Sequence, residues 1–118
     1  MAFTSYCDLS VWQKAMELTD EVYRIARLLP KEEMYSLSDQ IRRAAVSIPS
    51  NIAEGRGRQT DSDFRHFLYI AKGSCYELET QLLICIRQKY VTAEDIAAAL
   101  SLSDEVSRML TNLIKALS

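Results

Sequence analysis

Apolar residues recur every three or four positions along most of this chain, and no stretch alternates apolar with polar residues. That spacing puts apolar side chains on one face of an α-helix, whereas a half-buried strand would need alternation. Three glycines and two prolines in 118 residues leave little room for the tight turns of hairpins. The sequence therefore predicts an all-α protein.

Four segments carry the helical pattern, and short connections separate them. Such connections force neighbouring helices to run antiparallel, so we expect an up-down-up-down four-helix bundle, folded as one domain over residues 1–118. The predicted segments are Leu9–Leu29, about Ser36 to Gly55, Thr60 to about Tyr90, and Thr92 onward.

The predicted helix ends rest on capping residues. Asp8 is the expected N-cap of the first helix, and Ser36, Thr60 and Thr92 are each followed by an aspartate three residues later. That spacing is typical of a capping box, in which cap and third residue exchange hydrogen bonds. Glycines in Gly55–Gly57 suit a left-handed turn after the second helix.

The stretch IRRAAVSIPSNIAEGRG, residues 41–57, contains Pro49 inside a helical pattern. Its apolar residues share one direction, which predicts that the helix continues through the proline with a kink, since the Ala45 carbonyl loses its amide donor. Val46, Pro49 and Ala53 widen the apolar arc to roughly 200°, more than an isolated bundle needs, which suggests contact with another helix or subunit. The predicted core seam is Leu37, Ile41, Ala45, Ile48, Ile52 and Gly55.

Charge and hydropathy limit the classes of partner. A net charge of -2 and a pI near 5.4 argue against a protein that coats nucleic acid over its whole surface. No apolar run approaches the ~18 residues of a membrane span, and the N-terminus lacks a signal-peptide pattern. We expect a cytoplasmic protein with no membrane partner.

The residues that carry chemistry are few. A di-iron site in a bundle needs two Glu-x-x-His pairs, whereas this chain has one histidine and a single Asp63-x-x-His66. Cys75 and Cys85 lie ~15 Å apart along one predicted helix, too far for a disulfide, so with Cys7 they are expected to be buried free thiols. We predict no metal, no cofactor, no small-molecule substrate and no enzymatic activity.

A basic patch is the remaining candidate for function. Residues 40–58 hold four arginines against one glutamate, a local charge of four minus one, or +3. On the third helix, cations lie beside aromatic residues spaced by seven, a pattern used both by single-stranded RNA surfaces and by protein interfaces. The candidate site residues are Arg42, Arg43, Asn51, Glu54, Arg56, Arg58, Arg65, Tyr69, Lys72 and Tyr76.

Several of these residues keep more than one interpretation. Asn51 either makes a structural hydrogen bond or contacts a ligand or RNA, because an amide on that flank is costly to bury alone. Arg43, Ser47, Ser50 and Glu54 are expected on an outward face that is solvated or binds a partner. Tyr69, Tyr76 and Leu83 favour an oligomer interface, with nucleic acid as the alternative.

Three blocks resemble a known family: DLSVWQKA, LSDQIRRAAVSIPSNIAEGRGR and FLYIAKGSCYELETQL. They are similar to the small bundle proteins encoded in intervening sequences of bacterial 23S ribosomal RNA genes. The resemblance implies a ring-like homopentamer without known catalysis or cofactor. A related branch, the accessory protein of diversity-generating retroelements, is basic and works with a reverse transcriptase and its RNA.

The resemblance carries motif positions onto two helices of this chain. The motif positions are Gln40, Arg42, Arg43, Ser47, Pro49, Asn51, Glu54 and Gly55, then Gly73, Ser74, Glu77, Leu78 and Glu79. This chain departs from the retroelement branch, because its net charge is negative.

The leading hypothesis is a non-enzymatic homo-oligomer. The alternative is an RNA-binding accessory protein, associated with ribosomal RNA or a reverse transcriptase.

Overall fold

Four α-helices make up most of the computed structural model, which describes residues 5–118. Two single-turn 3-10 helices, Tyr6–Asp8 and Lys31–Glu33, precede α1 and α2, and no strand occurs in the described part. The all-α prediction is confirmed. The helices are α1 Ser10–Ala26, α2 Leu37–Arg56, α3 Asp61–Arg87 and α4 Ala93–Ala116.

Each helix packs against the helices that precede and follow it, and α1 also packs against α4. This closes the predicted up-down-up-down bundle, whose extents are 44 × 26 × 20 Å. At 1.5 Å per residue α3 spans about 40 Å, so it runs the length of the bundle. None of the helices in residues 5–118 combines the length and apolar character that crossing a bilayer demands.

The seam predicted along α2 lies in the middle of the core. Ile41, Ala45, Ile48 and Ile52 are completely buried, and both ends of the seam, Leu37 and Gly55, are buried too. Each of the other helices contributes large side chains that are equally closed to solvent. Examples are Leu18 and Ile25 of α1, Leu68, Leu78 and Leu82 of α3, and Ile96 and Leu110 of α4.

The helix continues through Pro49 as predicted, and Pro49 itself is buried. The kink stays a prediction. Proline has no N–H to donate to the Ala45 carbonyl four residues earlier. From α1, the Thr19 hydroxyl lies 3.4 Å from that carbonyl oxygen, and it also bonds the Ala15 carbonyl at 2.8 Å. The single proton of this hydroxyl bonds the nearer Ala15 carbonyl, so a neighbouring helix offers the open Ala45 carbonyl only a weak, shared donor.

Replacing Thr19 with valine tests this compensation. Valine keeps the shape but removes the hydroxyl, so the Ala45 carbonyl loses this weak donor, and we expect the free energy of unfolding to fall by up to about 1 kcal/mol. Thr80→Val is the matched control, because the Thr80 hydroxyl bonds only the Tyr76 carbonyl of its own helix, at 2.9 Å. Equal effects of the two substitutions in urea unfolding would contradict the account.

The capping predictions hold best at α4. Thr92 Oγ1 accepts from the Asp95 amide at 3.2 Å, and Asp95 Oδ2 accepts from the Thr92 amide at 2.8 Å, which completes a capping box. At α3, Thr60 Oγ1 accepts from the Asp63 amide at 3.1 Å. The sequence therefore located both of these helix starts from their caps.

Other predicted helix ends are wrong in detail. Asp8 lies in the preceding 3-10 turn, and Leu9, which makes no side-chain cap, occupies the N-cap position of α1. Gly57 ends α2 in a right-handed conformation with φ -81°. Within residues 5–118 the left-handed residue is Lys89, φ 64°, in the turn after α3, where Tyr90 N donates to the Cys85 carbonyl.

The capping box predicted at Ser36 does not form. Ser36 makes no side-chain cap, and Asp39 Oδ2 instead accepts from Arg43 Nε at 2.8 Å. Glu33 takes over the capping role, because its Oε1 accepts from the Leu37 amide at 3.2 Å. The connector before α2 therefore supplies the cap.

Glu33 also bonds to the connector between α3 and α4, at the same end of the bundle, so its ionisation bears on stability. Its Oε2 accepts from the Tyr90 hydroxyl at 2.8 Å. The hydrogen bond from Tyr90, with that from the Leu37 amide, holds the pKa of Glu33 below its usual value of 4.5. A lowered carboxyl pKa contributes stability that is present above the unfolded pKa and is lost as the pH falls through the folded pKa.

We therefore expect Glu33→Gln to lower the melting temperature near pH 7 and to have a smaller effect below about pH 4. The variant keeps an oxygen acceptor but cannot carry the charge. Glu32→Gln, one residue earlier and with no hydrogen bond of its side chain in the described structure, is the control. A melting-temperature difference for Glu33→Gln that stays constant from pH 7 to pH 3 would refute this link.

Candidate interaction surface on α2 and α3

An exposed stripe of apolar and small residues follows the outer face of α3. Tyr69, Tyr76 and Leu83, spaced by seven, are 59%, 54% and 50% exposed. Gly73 and Thr80 fall between them, so the spacing alternates four and three, as in the seam of a coiled coil. We call these five residues the outer stripe.

A second row lies beside the outer stripe on α3. Ile70 and Ile84 are 40% and 39% exposed, and Glu77, halfway between them, is exposed as well. Seven-residue spacing keeps the three side chains on one side of the helix. Together the two rows give α3 a broad outward face that no other helix of the chain covers.

No contact within the chain requires a glycine at position 73. A Cβ added there would meet nothing within 4 Å, whereas one added at Gly55 would come within 2.7 Å of Phe67 Cβ. A glycine in an exposed helix interior costs about 1 kcal/mol relative to alanine. Gly55 is therefore required by the packing of α2 on α3, and Gly73 is not.

The arginines at the start of α2 are held by neighbouring groups. Arg42 Nη2 donates to the Met34 carbonyl at 3.3 Å, and Arg43 pairs with Asp39. The Arg43 side chain is 78% exposed, so this ion pair adds little stability. Both arginines remain accessible, with Arg43 partly neutralised.

The charged residues at the end of α2 form a separate group. Arg58 Nη2 pairs with Glu54 Oε2 at 2.7 Å, and its guanidinium lies 4.8 Å from the centre of the Phe67 ring. Arg56 has no carboxylate within 4 Å among residues 5–118. Thirteen residues of helix, about 20 Å, separate Arg56 from Arg43, so the structure divides the basic patch into two ends.

Asn51 makes the structural bond that the sequence offered as one interpretation. Its Nδ2 donates to the Ser47 carbonyl at 2.8 Å and to Ser47 Oγ at 3.0 Å. Ser47 Oγ in turn lies 2.8 Å from Ser74 Oγ of α3. Ser47 thus joins α2 to α3, which corrects its expected place on an outward face.

The two cations of α3 differ in their contacts. Arg65 Nη1 donates to the Leu117 carbonyl at the end of α4. Lys72 is half-buried and has no carboxylate within 4 Å among the described residues. It lies three residues after Tyr69 and four before Tyr76, so cation and rings share one side of α3.

The titratable side chains do not assemble into a recognisable reaction centre in residues 5–118. No group of three or more potential metal ligands occurs there. Burial raises the pKa of Cys75 to about 12 and that of Cys85 to about 11, so both are protonated thiols at neutral pH. Both are free and buried as predicted, whereas Cys7 is free but exposed. His66 stacks edge-on against Phe67.

Surface depressions lie along both sides of α2. An apolar groove of about 310 Å³ lies between α1 and α2, where Trp12, Met16, Val46 and Pro49 meet. This groove borders much of the wide apolar arc that the sequence predicted for α2, because Pro49 is buried on the side that faces α1. On the other side a polar cleft of about 170 Å³ separates α2 from α3, lined by Gln40, Arg43, Ala44, Ser47, Glu77 and Gln81.

Gln81 is the member of the polar cleft that sequence reasoning missed. It lies in register with Ser74, Leu78 and Cys85 on the buried side of α3. A glutamine at a core-facing position is the signal that could have found it, because buried amides need partners. Gln40, Ser47 and Glu77 were already motif positions by resemblance, but nothing in the sequence placed them in one cleft.

Fold and surface together define an all-α four-helix bundle with an exposed aromatic face. The family model of the 23S rRNA-intervening sequence proteins matches residues 7–112. The chain therefore belongs to that family.

A solved structure agrees with this assignment. It is a crystal structure of a protein of unknown function from the S23 ribosomal protein family of Bacteroides thetaiotaomicron, 30% identical to this chain. The similarity covers 89% of this chain and 98% of that one, with a TM-score of 0.82. No curated protein matches.

Proposed function

We propose that this chain is a cytoplasmic, non-catalytic bundle that works as a homo-oligomer, with the outer face of α3 as its self-association surface. The observation that carries the proposal is the outer stripe, together with Ile70 and Ile84. Soluble monomers rarely expose a contiguous apolar surface larger than a few hundred Å². The family resemblance supports five subunits as the number.

The pattern of the stripe favours a helical partner. Alternating spacings of four and three residues present a seam into which the side chains of a facing helix fit. Gly73, between Tyr69 and Tyr76 in the stripe, permits close approach of another backbone. A glycine that costs about 1 kcal/mol in the isolated helix is explained if it contacts a second subunit.

The non-catalytic part of this proposal is supported by the causes of the shifted pKa values. The pKa of Asp95 is lowered by hydrogen bonds from Thr92, in the cap of α4, and that of Glu33 by its bonds in the cap of α2. The raised pKa values of Cys75 and Cys85 come first from burial in the core. Each shift has a structural cause, so none calls for a catalytic role.

The proposal is tested by placing charge on the stripe. We expect Tyr69→Glu with Tyr76→Glu to convert the assembly to monomers, because two carboxylates would have to be desolvated in the interface. Tyr35→Glu is the matched control, since Tyr35 is 90% exposed on the connector before α2. Light scattering measures the molar mass. An unchanged mass for the double variant would refute the assignment of this surface.

RNA binding is the second candidate, favoured by Lys72 between two exposed tyrosines. Bases stack on such rings, while cations pair with phosphates. Affinity for single-stranded RNA should then fall with rising salt, and Lys72→Ala should reduce the salt slope by about one. Replacing Arg43 and Arg56 should weaken binding across sequences. No binding in low salt would remove this candidate.

A further inference from the structure

The polar cleft between α2 and α3 has room for more than a bridging water. Its volume of about 170 Å³ corresponds to about six water molecules at ~30 Å³ each. The walls carry two amides, a hydroxyl, a guanidinium and a carboxylate. A cleft of this composition suits a polar side chain or small molecule that forms several hydrogen bonds.

One acceptor in this cleft has no partner. Gln81 is 8% exposed, and its Oε1 is buried and accepts no hydrogen bond. In no other described side chain does a buried nitrogen or oxygen lack a hydrogen-bond partner. An orphaned buried acceptor costs free energy that a donor from outside would recover.

The charge around the cleft favours a cation. Arg43 directs its Nε to Asp39, so these two charges largely cancel. Glu77 has no Lys or Arg nitrogen within 4 Å among residues 5–118. The cleft thus presents a free carboxylate, and beside it the Gln81 amide, whose Oε1 is closed to solvent and accepts from a donor once the side chain turns toward the cleft. A guanidinium, with several N–H donors in one plane, fits such a pair better than an ammonium does.

The cleft is continuous with the face proposed for self-association. Glu77 lies between Ile70 and Ile84 in the second row of α3, seven residues from each. A subunit that covers these isoleucines also removes Glu77 from water. A buried carboxylate without a partner would oppose assembly, so the covering subunit has to bring the positive charge.

We propose that a second copy of this chain inserts an arginine side chain into the polar cleft, where it donates to the Glu77 carboxylate and, as the Gln81 amide turns toward it, to Gln81 Oε1. The inference rests on the proposed self-association. The chain can supply the donor, because Arg27 and Arg87 are exposed and have no carboxylate within 4 Å in the described residues. The cleft is completed only by the partner copy.

The first experiment measures association by sedimentation equilibrium. Glu77→Gln should weaken association about tenfold or more and flatten its salt dependence, because the charged pair is lost. Glu32→Gln, on the exposed connector before α2, should leave both unchanged. Wild-type protein that never assembles would contradict the proposed function. Wild-type protein that assembles with the same affinity as Glu77→Gln would overturn this inference alone.

A second variant separates an interface role from a structural one. Gln81→Met keeps the volume and removes the orphaned oxygen, so thermal unfolding of the monomer, measured in the Tyr69→Glu, Tyr76→Glu background, should be unchanged or raised. In the wild-type background the same change should weaken association. A loss of monomer stability with unchanged association would show a purely internal role and overturn the proposal.

The donor is identified by replacing exposed arginines with glutamine one at a time. One of these variants should weaken association as much as Glu77→Gln does. Combining it with Glu77→Gln should weaken association little further, since both substitutions remove the same contact. Full additivity for every arginine would contradict an arginine in the cleft. A crystal structure of the assembly with only solvent there would do so as well.

Discussion

Replacing Ile48 with alanine is expected to lower the free energy of unfolding by about 2–5 kcal/mol. Ile48 is completely buried at the middle of the α2 seam, next to Pro49, and all four helices contribute to the core around it. The change removes three carbon atoms and leaves a cavity that the packed bundle can close only in part. Urea unfolding at a fixed protein concentration measures the difference.

Val46→Ala is the control for this substitution. Val46 lies on the same helix two residues earlier but is 39% exposed, at the edge of the apolar groove. We expect it to cost about 1 kcal/mol or less, since little buried surface is lost. Similar losses for the two variants would mean that the α2 seam does not form the centre of the core.

The second large effect is expected at Gly55, where alanine should lower the free energy of unfolding by about 1–3 kcal/mol. The added Cβ would lie 2.7 Å from Phe67 Cβ, 3.0 Å from Phe64 Cδ1 and 3.3 Å from the Phe64 carbonyl oxygen. Two of these contacts are with atoms close to or in the α3 backbone, so α2 and α3 would have to separate. The small gain in helix propensity near the end of α2 does not offset this cost.

Gly73→Ala is the opposite case and serves as the matched control. Its Cβ meets nothing within 4 Å, so in the isolated chain alanine should stabilise α3 by about 1 kcal/mol. In the assembly the same methyl group should weaken association if another backbone packs closely there. Thermal unfolding of both variants measures these changes in stability. A Gly55→Ala protein more stable than wild type would contradict the packing of α2 on α3.

Much of the fold follows from local patterns in the sequence. Thr92 and Asp95 formed the predicted capping box because both partners lie within one turn, and the α2 seam held because apolar periodicity alone specifies a buried face. The cap at Ser36 failed because the Ser36 amide, which the Asp39 carboxylate would accept in a box, donates to the Glu33 carbonyl at 3.0 Å, while Asp39 pairs with Arg43. The connector that replaces this cap is also tied to Tyr90 through Glu33, a tertiary bond that a local pattern does not contain.

The candidate surface was less predictable, because its contacts cross between helices. Asn51 bonds to Ser47 within α2, but the further contact of Ser47 with Ser74 depends on the register of α2 against α3. Gln81 shows the same limit, since a core-facing glutamine signals an unmet hydrogen bond but not the cleft around it. The regular spacing of Tyr69 and Tyr76, by contrast, could be seen in the sequence and predicted a partner surface.

Self-association is the central claim, and sedimentation velocity of the wild-type protein at micromolar concentration tests it most directly. We expect a species several times heavier than the 13.4 kDa chain, and five copies would have a mass of about 67 kDa, five times that value. A single stable species of 13.4 kDa across that concentration range would contradict the account.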